Sequence, residues 1–158
     1  MKHLAAALVV LLSLNLSVAH AQDQPAQHPT PDHDARAVLD LTPSERVMIL
    51  EEMRLFLTGV QKMTGGLGQQ DMPAVAEAAR GMGQKMVHAV PPALRAKLPM
   101  EFRQLGFSVH GDFDQIAMDA ESLKDVSYSL GQLSATLQKC VSCHAMYQIR
   151  TPALDTRH

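Results

Sequence analysis

The residues best equipped for chemistry in this 158-residue chain are Cys140-Val141-Ser142-Cys143-His144, close to its end. The pattern C-x-x-C-H suits covalent attachment of a haem. Two thiols can add across the porphyrin vinyl groups as thioethers, and the adjacent imidazole can bind iron from one face. At about 100° per residue, Cys140, Cys143 and His144 fall within an arc of roughly 100° on a helix. One helical face can therefore hold the porphyrin edge and reach the iron. A bare C-x-x-C also serves thiol redox enzymes and zinc sites. A thiol enzyme needs its first Cys at an exposed helix N-terminus, whereas Cys140 falls about four turns into the last expected helix. Zinc needs about four ligands. There is no second Cys pair, and the other His residues fall in no ligand spacing. No hydrolytic triad, paired-acid site or phosphate loop stands out, so enzymatic turnover is not expected.

The elements that must position this motif read as helices. Aromatic residues make up 4% of the chain and Trp is absent. The apolar residues are mostly Leu, Val, Ala and Met, which favour helices over sheets. A porphyrin would supply the large flat apolar body that the side chains lack. Met1-Lys2-His3, the apolar run Leu4 to Val18 and Ala19-His20-Ala21 read as an export signal cleaved after Ala21. The run is short for a membrane span. The mature chain would then be periplasmic, where two Cys normally oxidise to a disulfide unless haem consumes them. Residues 22–40 read as a disordered polar arm punctuated by Pro25, Pro29 and Pro31. The formal net charge of -2 and the lack of a basic patch argue against nucleic acid as a partner.

Residues 41–150 then hold four amphipathic segments. Thr42, Pro43 and Glu45 form a capping box that opens helix A. Leu50, Met53, Leu57, Val60 and Thr64 make its inward stripe, and Gly65, Gly66 and Gly68 end it. Asp71 caps helix B, which carries Val75, Ala76, Ala79, Met82, Met86 and Val90 until Pro91-Pro92. Residues 93–97 fit a short helical turn. Helix C runs from about Pro99 to Leu123 on Phe102, Leu105, Val109, Phe113, Ile116, Ala120 and Leu123. Helix D starts near Asp125. It aligns Val126, Leu130, Leu133, Leu137, Cys140 and His144 on one broad face, and Pro152 closes the helical pattern. Residues 151–158 read as a frayed tail. No segment alternates at period two. An all-α, antiparallel four-helix bundle is the expected fold, with haem near the C-terminal end of the last helix.

This arrangement resembles the class II c-type cytochromes, the cytochrome c prime family. The likeness rests on the leader, the four helices, C-x-x-C-H near the end of the fourth, and an aromatic three residues after the His, here Tyr147. Met53-Arg54 with Leu57 is similar to the low-spin members. The usual basic residue after the aromatic is here Gln148, with Arg150 two further on. The resemblance implies one covalent haem c, held by Cys140 and Cys143, with His144 as proximal ligand. It puts helix A across the haem from helix D. Met53 is then the candidate distal ligand, and Leu50, Leu57, Leu137 and Tyr147 pack the ring. It also implies transient redox partner proteins, and homodimers as one oligomeric state.

Two functions compete. With Met53 on the iron the protein is an electron carrier. With Leu50 or Leu57 closing that side, the iron is five-coordinate and binds NO or CO. Met53 is weighed against the ordinary role of a core Met; Met48 and Met63 lie off the stripe. His88 and His110 would give a bis-His site, against their reading as surface or satisfied core histidines. Arg46 and Arg54 are candidates for propionate contacts, against solvated helix-surface charges.

Overall fold

The computed structural model describes residues 34–150. Residues 1–33 and 151–158, which hold the expected leader, most of the proline-rich arm and the expected tail, lie outside the described residues. Residues 35–150 belong to one unit, all-α apart from one pair of two-residue strands. No described helix is long and apolar enough to cross a membrane.

Helix α1 spans Pro43–Gln69 and begins as the sequence predicts. Thr42 Oγ1 accepts from the Glu45 N–H at 3.3 Å, and the Glu45 carboxylate accepts from the Thr42 N–H at 2.8 Å. The expected stop at Gly65 and Gly66 does not occur. Gly66 is buried, and a Cβ there would lie 2.9 Å from Val75 Cγ2. The glycine therefore allows a close approach of α2 (Met72–Arg80) rather than ending α1. The end comes at Gln70, in the left-handed region at φ 58°. Asp71 caps α2 through its side chain and the Ala74 N–H, 3.1 Å apart. The two-residue link turns the chain back on itself.

Helix B is broken rather than continuous. α2 stops at Arg80 and α3 covers only Gln84–Val87. The carboxylate of Asp114, on α5 (Met100–Ser122), enters this break and accepts the Gln84 N–H at 2.9 Å. A Cβ on Gly83 would overlap that carboxylate. A distant side chain thus restarts the helix where a local cap is missing. α4 (Pro92–Lys97) fills the turn expected there, and α6 spans Val126–Met146 behind an Asp125 cap.

α2 packs against both α1 and α5, α3 rests on α5, and α5 lies along α6. Met63, Val75, Met82, Phe113, Ile116 and Leu133 anchor the main core. Leu39, Ile49, Leu94 and Leu98 form a second cluster, joined by Phe102, Tyr147 and Ile149. Two expected stripes prove rotated. On α1 the buried line is Ile49, Gly59, Met63, Gly66 and Leu67, so Met63 is core and Leu57 is 71% exposed. On α6 it is Ser129, Leu133 and Thr136, which leaves Leu130 52% and Leu137 36% exposed. The reason lies on α5. Asp112 draws in Thr136 and Lys139, and Asp119 draws in Gln132, so polar contacts turn α6 by a fraction of a turn.

The last helix ends earlier than Pro152. Tyr147–Gln148 leaves helical geometry and pairs in parallel with Ala37–Val38. The Leu39 N–H also donates to the Gln148 carbonyl at 3.0 Å. The end of the polar arm therefore joins the folded unit. Leu39 is buried there, and the Tyr147 ring meets Phe102 edge-on with centroids 5.3 Å apart. Period-two patterning cannot reveal a pairing only two residues long.

Candidate functional site

The turn of α1 that carries Leu50 and Met53 and the end of α6 that carries Cys143 and His144 line one groove of about 250 Å³. Tyr147 and Phe102 complete its apolar wall. The usual range for ligand cavities is about 300–1,000 Å³, so this groove is small and continues into open surface. It exists because α1 and α6 make little backbone contact with each other, α1 packing on α2 and α6 on α5. Each helix turns its core line toward those partners. The second apolar line of each helix is left on the flank.

The residues proposed from sequence divide clearly. Leu50, Met53, Cys143, His144 and Tyr147 meet at the groove. Cys140 is half-buried one turn earlier on α6, outside the groove lining. Leu57 and Leu137 lie outside it too, Leu57 largely and Leu137 about one-third exposed. Leu57 is one turn beyond Met53, and Leu137 two turns before His144, each on the same side of its helix. Sequence reasoning missed Arg36, whose Nη1 donates to the His144 carbonyl at 3.2 Å. It placed Arg36 in the arm, where no local signal marks a contact 108 residues away. It counted Phe102 only as a core position.

Both thiols are free. Burial pushes the Cys140 thiol up; a backbone hydrogen bond opposes this and the Asp112 charge adds to it. Burial also pushes Cys143 up, with the Cys140 charge adding to it. Neither is a ready thiolate at neutral pH, which argues against a dithiol redox enzyme. The His144 imidazole carries no hydrogen bond within the described residues, so both ring nitrogens remain available there.

His110 is the opposite case. It is buried, its Nδ1 lies 2.7 Å from the Met82 carbonyl oxygen and its Nε2 lies 3.2 Å from Glu52 Oε1. It is a satisfied core histidine and offers iron nothing. His88 is exposed at the end of α3. Arg54 pairs with Glu51 at 2.9 Å on the surface. Arg46 lies seven residues before Met53 on the same side of α1. Its Nε is buried without a hydrogen-bond partner, an arrangement uncommon in folded proteins.

A haem fits this donor set. Two free thiols and an imidazole without a hydrogen bond among the described residues are the residue types it needs, and the Met53 thioether lines the same groove as Cys143 and His144, with Cys140 one turn away. Apolar side chains lie uncovered beside it, and Arg46 supplies an orphaned donor of the kind that suits a carboxylate. Among the described residues no three His, Cys, Asp or Glu side chains gather as a metal-holding group. Comparison of the chain with family models, curated proteins and solved structures returned no match.

Proposed function

We propose that this protein is an exported monohaem c-type cytochrome of the class II kind, an electron carrier in the periplasm. Its four long helical segments, counting the broken second one once, would form the family's antiparallel bundle. The observation that carries the reading is the shared groove of Leu50 and Met53 with Cys143, His144 and Tyr147, residues about ninety positions apart in sequence. An accidental C-x-x-C-H gives no reason for a thioether-bearing turn to stand opposite it.

Bound haem c would supply a one-electron iron couple. Cys140 and Cys143 would hold it through thioethers, and His144 and Met53 would be its iron ligands. A thioether favours ferrous iron and raises the potential relative to a second imidazole. Keeping both ligands in both oxidation states keeps reorganisation small, as an electron carrier needs. Leu50, Tyr147 and Phe102 would exclude water from the ligand side. The Arg36 side chain, which lines the groove, and Arg46, on the Met53 side of α1, are cationic candidates for the propionates. Redox partners would dock transiently through a small interface, and pairing of helices would give the dimers common in that family.

One observation favours a second reading. Leu50 lines the same groove as Met53. If it covers the distal side instead, the iron is five-coordinate and binds NO or CO. Two variants test the proposal in a host equipped for c-type maturation. Cys140→Ala with Cys143→Ala should abolish haem staining on a denaturing gel; retained stain refutes covalent attachment. Met53→Ala should convert a low-spin optical spectrum to high-spin. A wild-type protein that is already high-spin and binds CO directly establishes the second reading.

A further inference from the structure

α1 approaches α5 through side chains rather than close backbone contact, and His110 is the centre of that contact. The polar groups facing its ring are acceptors: the Glu52 carboxylate at 3.2 Å, the Met82 carbonyl at 2.7 Å and the Gly83 backbone. The Met82 carbonyl lies in the break between α2 and α3, where helical partners are missing. The Phe56 ring lies against the same imidazole, centroids 4.9 Å apart, and stacks on Phe113 at 5.7 Å. Glu52 immediately precedes Met53, and Phe56 follows it by three residues. At about 100° per residue, Glu52 and Phe56 point within roughly 40° of each other, and Met53 lies about 100° round from Glu52. One buried side chain thus grips a single face of the turn that presents Met53. α6 makes little backbone contact with α1 that would hold the same turn from the other side.

We propose that His110 is a positioning residue for iron ligation: by binding Glu52 and packing against Phe56 it fixes the rotation of α1 that turns Met53 into the groove opposite His144. This rests on the reading of Met53 as distal ligand. Without the grip, packing on α2 alone sets the rotation of α1, the turn around Met53 is held less tightly, and the Met53-ligated state becomes one of several. A CO molecule competing for that position then binds more tightly in proportion to the unligated fraction.

The test uses the haem-loaded protein and four variants: Met53→Ala, His110→Leu, Glu52→Leu and His110→Gln. Ferrous optical spectra and CO titrations are compared at matched far-UV helicity. Met53→Ala sets the fully open limit. His110→Leu and Glu52→Leu should each raise apparent CO affinity about tenfold, the scale of one charge-assisted hydrogen bond. His110→Gln keeps a donor toward Glu52 and should restore most of the wild-type spectrum. A folded His110→Leu or Glu52→Leu protein with wild-type CO affinity overturns the proposal. So does His110→Gln as open as His110→Leu. If His110→Leu does not fold, Glu52→Leu carries the test alone, because it cuts the pair from its more exposed side. An unchanged spectrum in Met53→Ala removes the ligand itself, and the positioning role falls with it. An open Met53→Ala beside closed His110 and Glu52 variants refutes only the role of His110.

Discussion

Replacing Leu57 by Asn should separate a residue that packs on protein from one that packs on a prosthetic group. Leu57 is 71% exposed on a helix whose core line runs elsewhere. Full burial of a leucine stabilises a fold by about 1.5–3 kcal/mol. Seven-tenths of that, about 1–2 kcal/mol, is therefore left unrealised by the polypeptide alone. If the haem covers Leu57, the loaded protein gains that stabilisation and the haem-free chain does not. Leu57→Asn should then cost about 1–2 kcal/mol more in the loaded protein than in the Cys140→Ala, Cys143→Ala chain. In that haem-free background the cost should stay below about 1 kcal/mol, as for other exposed positions. Met63→Ala is the control, because Met63 is fully buried in the main core. It should destabilise both forms by about 2–5 kcal/mol. Urea unfolding followed by far-UV circular dichroism measures all four differences. Equal costs for Leu57→Asn in the two forms would refute the assignment of this flank to the ring.

Three further outcomes follow from the fold. Gly83→Ala should destabilise by about 1–3 kcal/mol, because its Cβ displaces the Asp114 carboxylate from the Gln84 N–H; a thermal melt at the wild-type temperature would contradict this. Burial alone would lower the His110 pKa, but the Glu52 carboxylate and the Met82 carbonyl outweigh it, and the net shift is upward from 6.5. A group raised in the folded state stabilises fully below its unfolded pKa and loses that contribution as pH rises through the folded value. The stability gap between wild type and His110→Gln should therefore shrink as pH climbs above 6.5, and a gap that widens reverses the sign. The Lys97 ammonium at 2.7 Å, followed by the Thr42 N–H, holds Glu45 at about 2 rather than 4.5. Its support for the α1 cap is present above 4.5 and lost as pH falls through about 2. Carboxyl NMR titration should place Glu45 near 2, and Lys97→Ala should move it upward.

Local chemistry made much of this protein legible in its sequence. The Thr42–Glu45 box, the Asp71 and Asp125 caps and the C-x-x-C-H spacing each depend on residues within a turn or two of one another. Backbone geometry alone brings such residues together. Apolar periodicity identified the stretches that become α1, α2, α5 and α6. The helix A stripe held Leu50 and Met53, the C-x-x-C-H motif named Cys143 and His144, and the resemblance to class II c-type cytochromes named Tyr147; the fold gathers all five at one groove. Periodicity could not say which of two neighbouring lines on a helix becomes core. Met63 took the buried place on α1 and Leu57 did not, because α2 packs on the line that holds Met63. On α6, Ser129 and Thr136 took the buried line rather than Leu130 and Leu137, with Asp112 and Asp119 of α5 holding Thr136, Lys139 and Gln132 on that side.

The break at Gly83, the pairing of Ala37–Val38 with Tyr147–Gln148 and the grip of His110 on α1 belong to the tertiary structure alone. In each, the deciding partner lies about thirty to one hundred and ten residues away in the chain. A residue's neighbours along the helix fix its spacing and its cap. Only packing between helices fixes the rotation of each helix about its axis, and that rotation decides which side chains are left facing the groove.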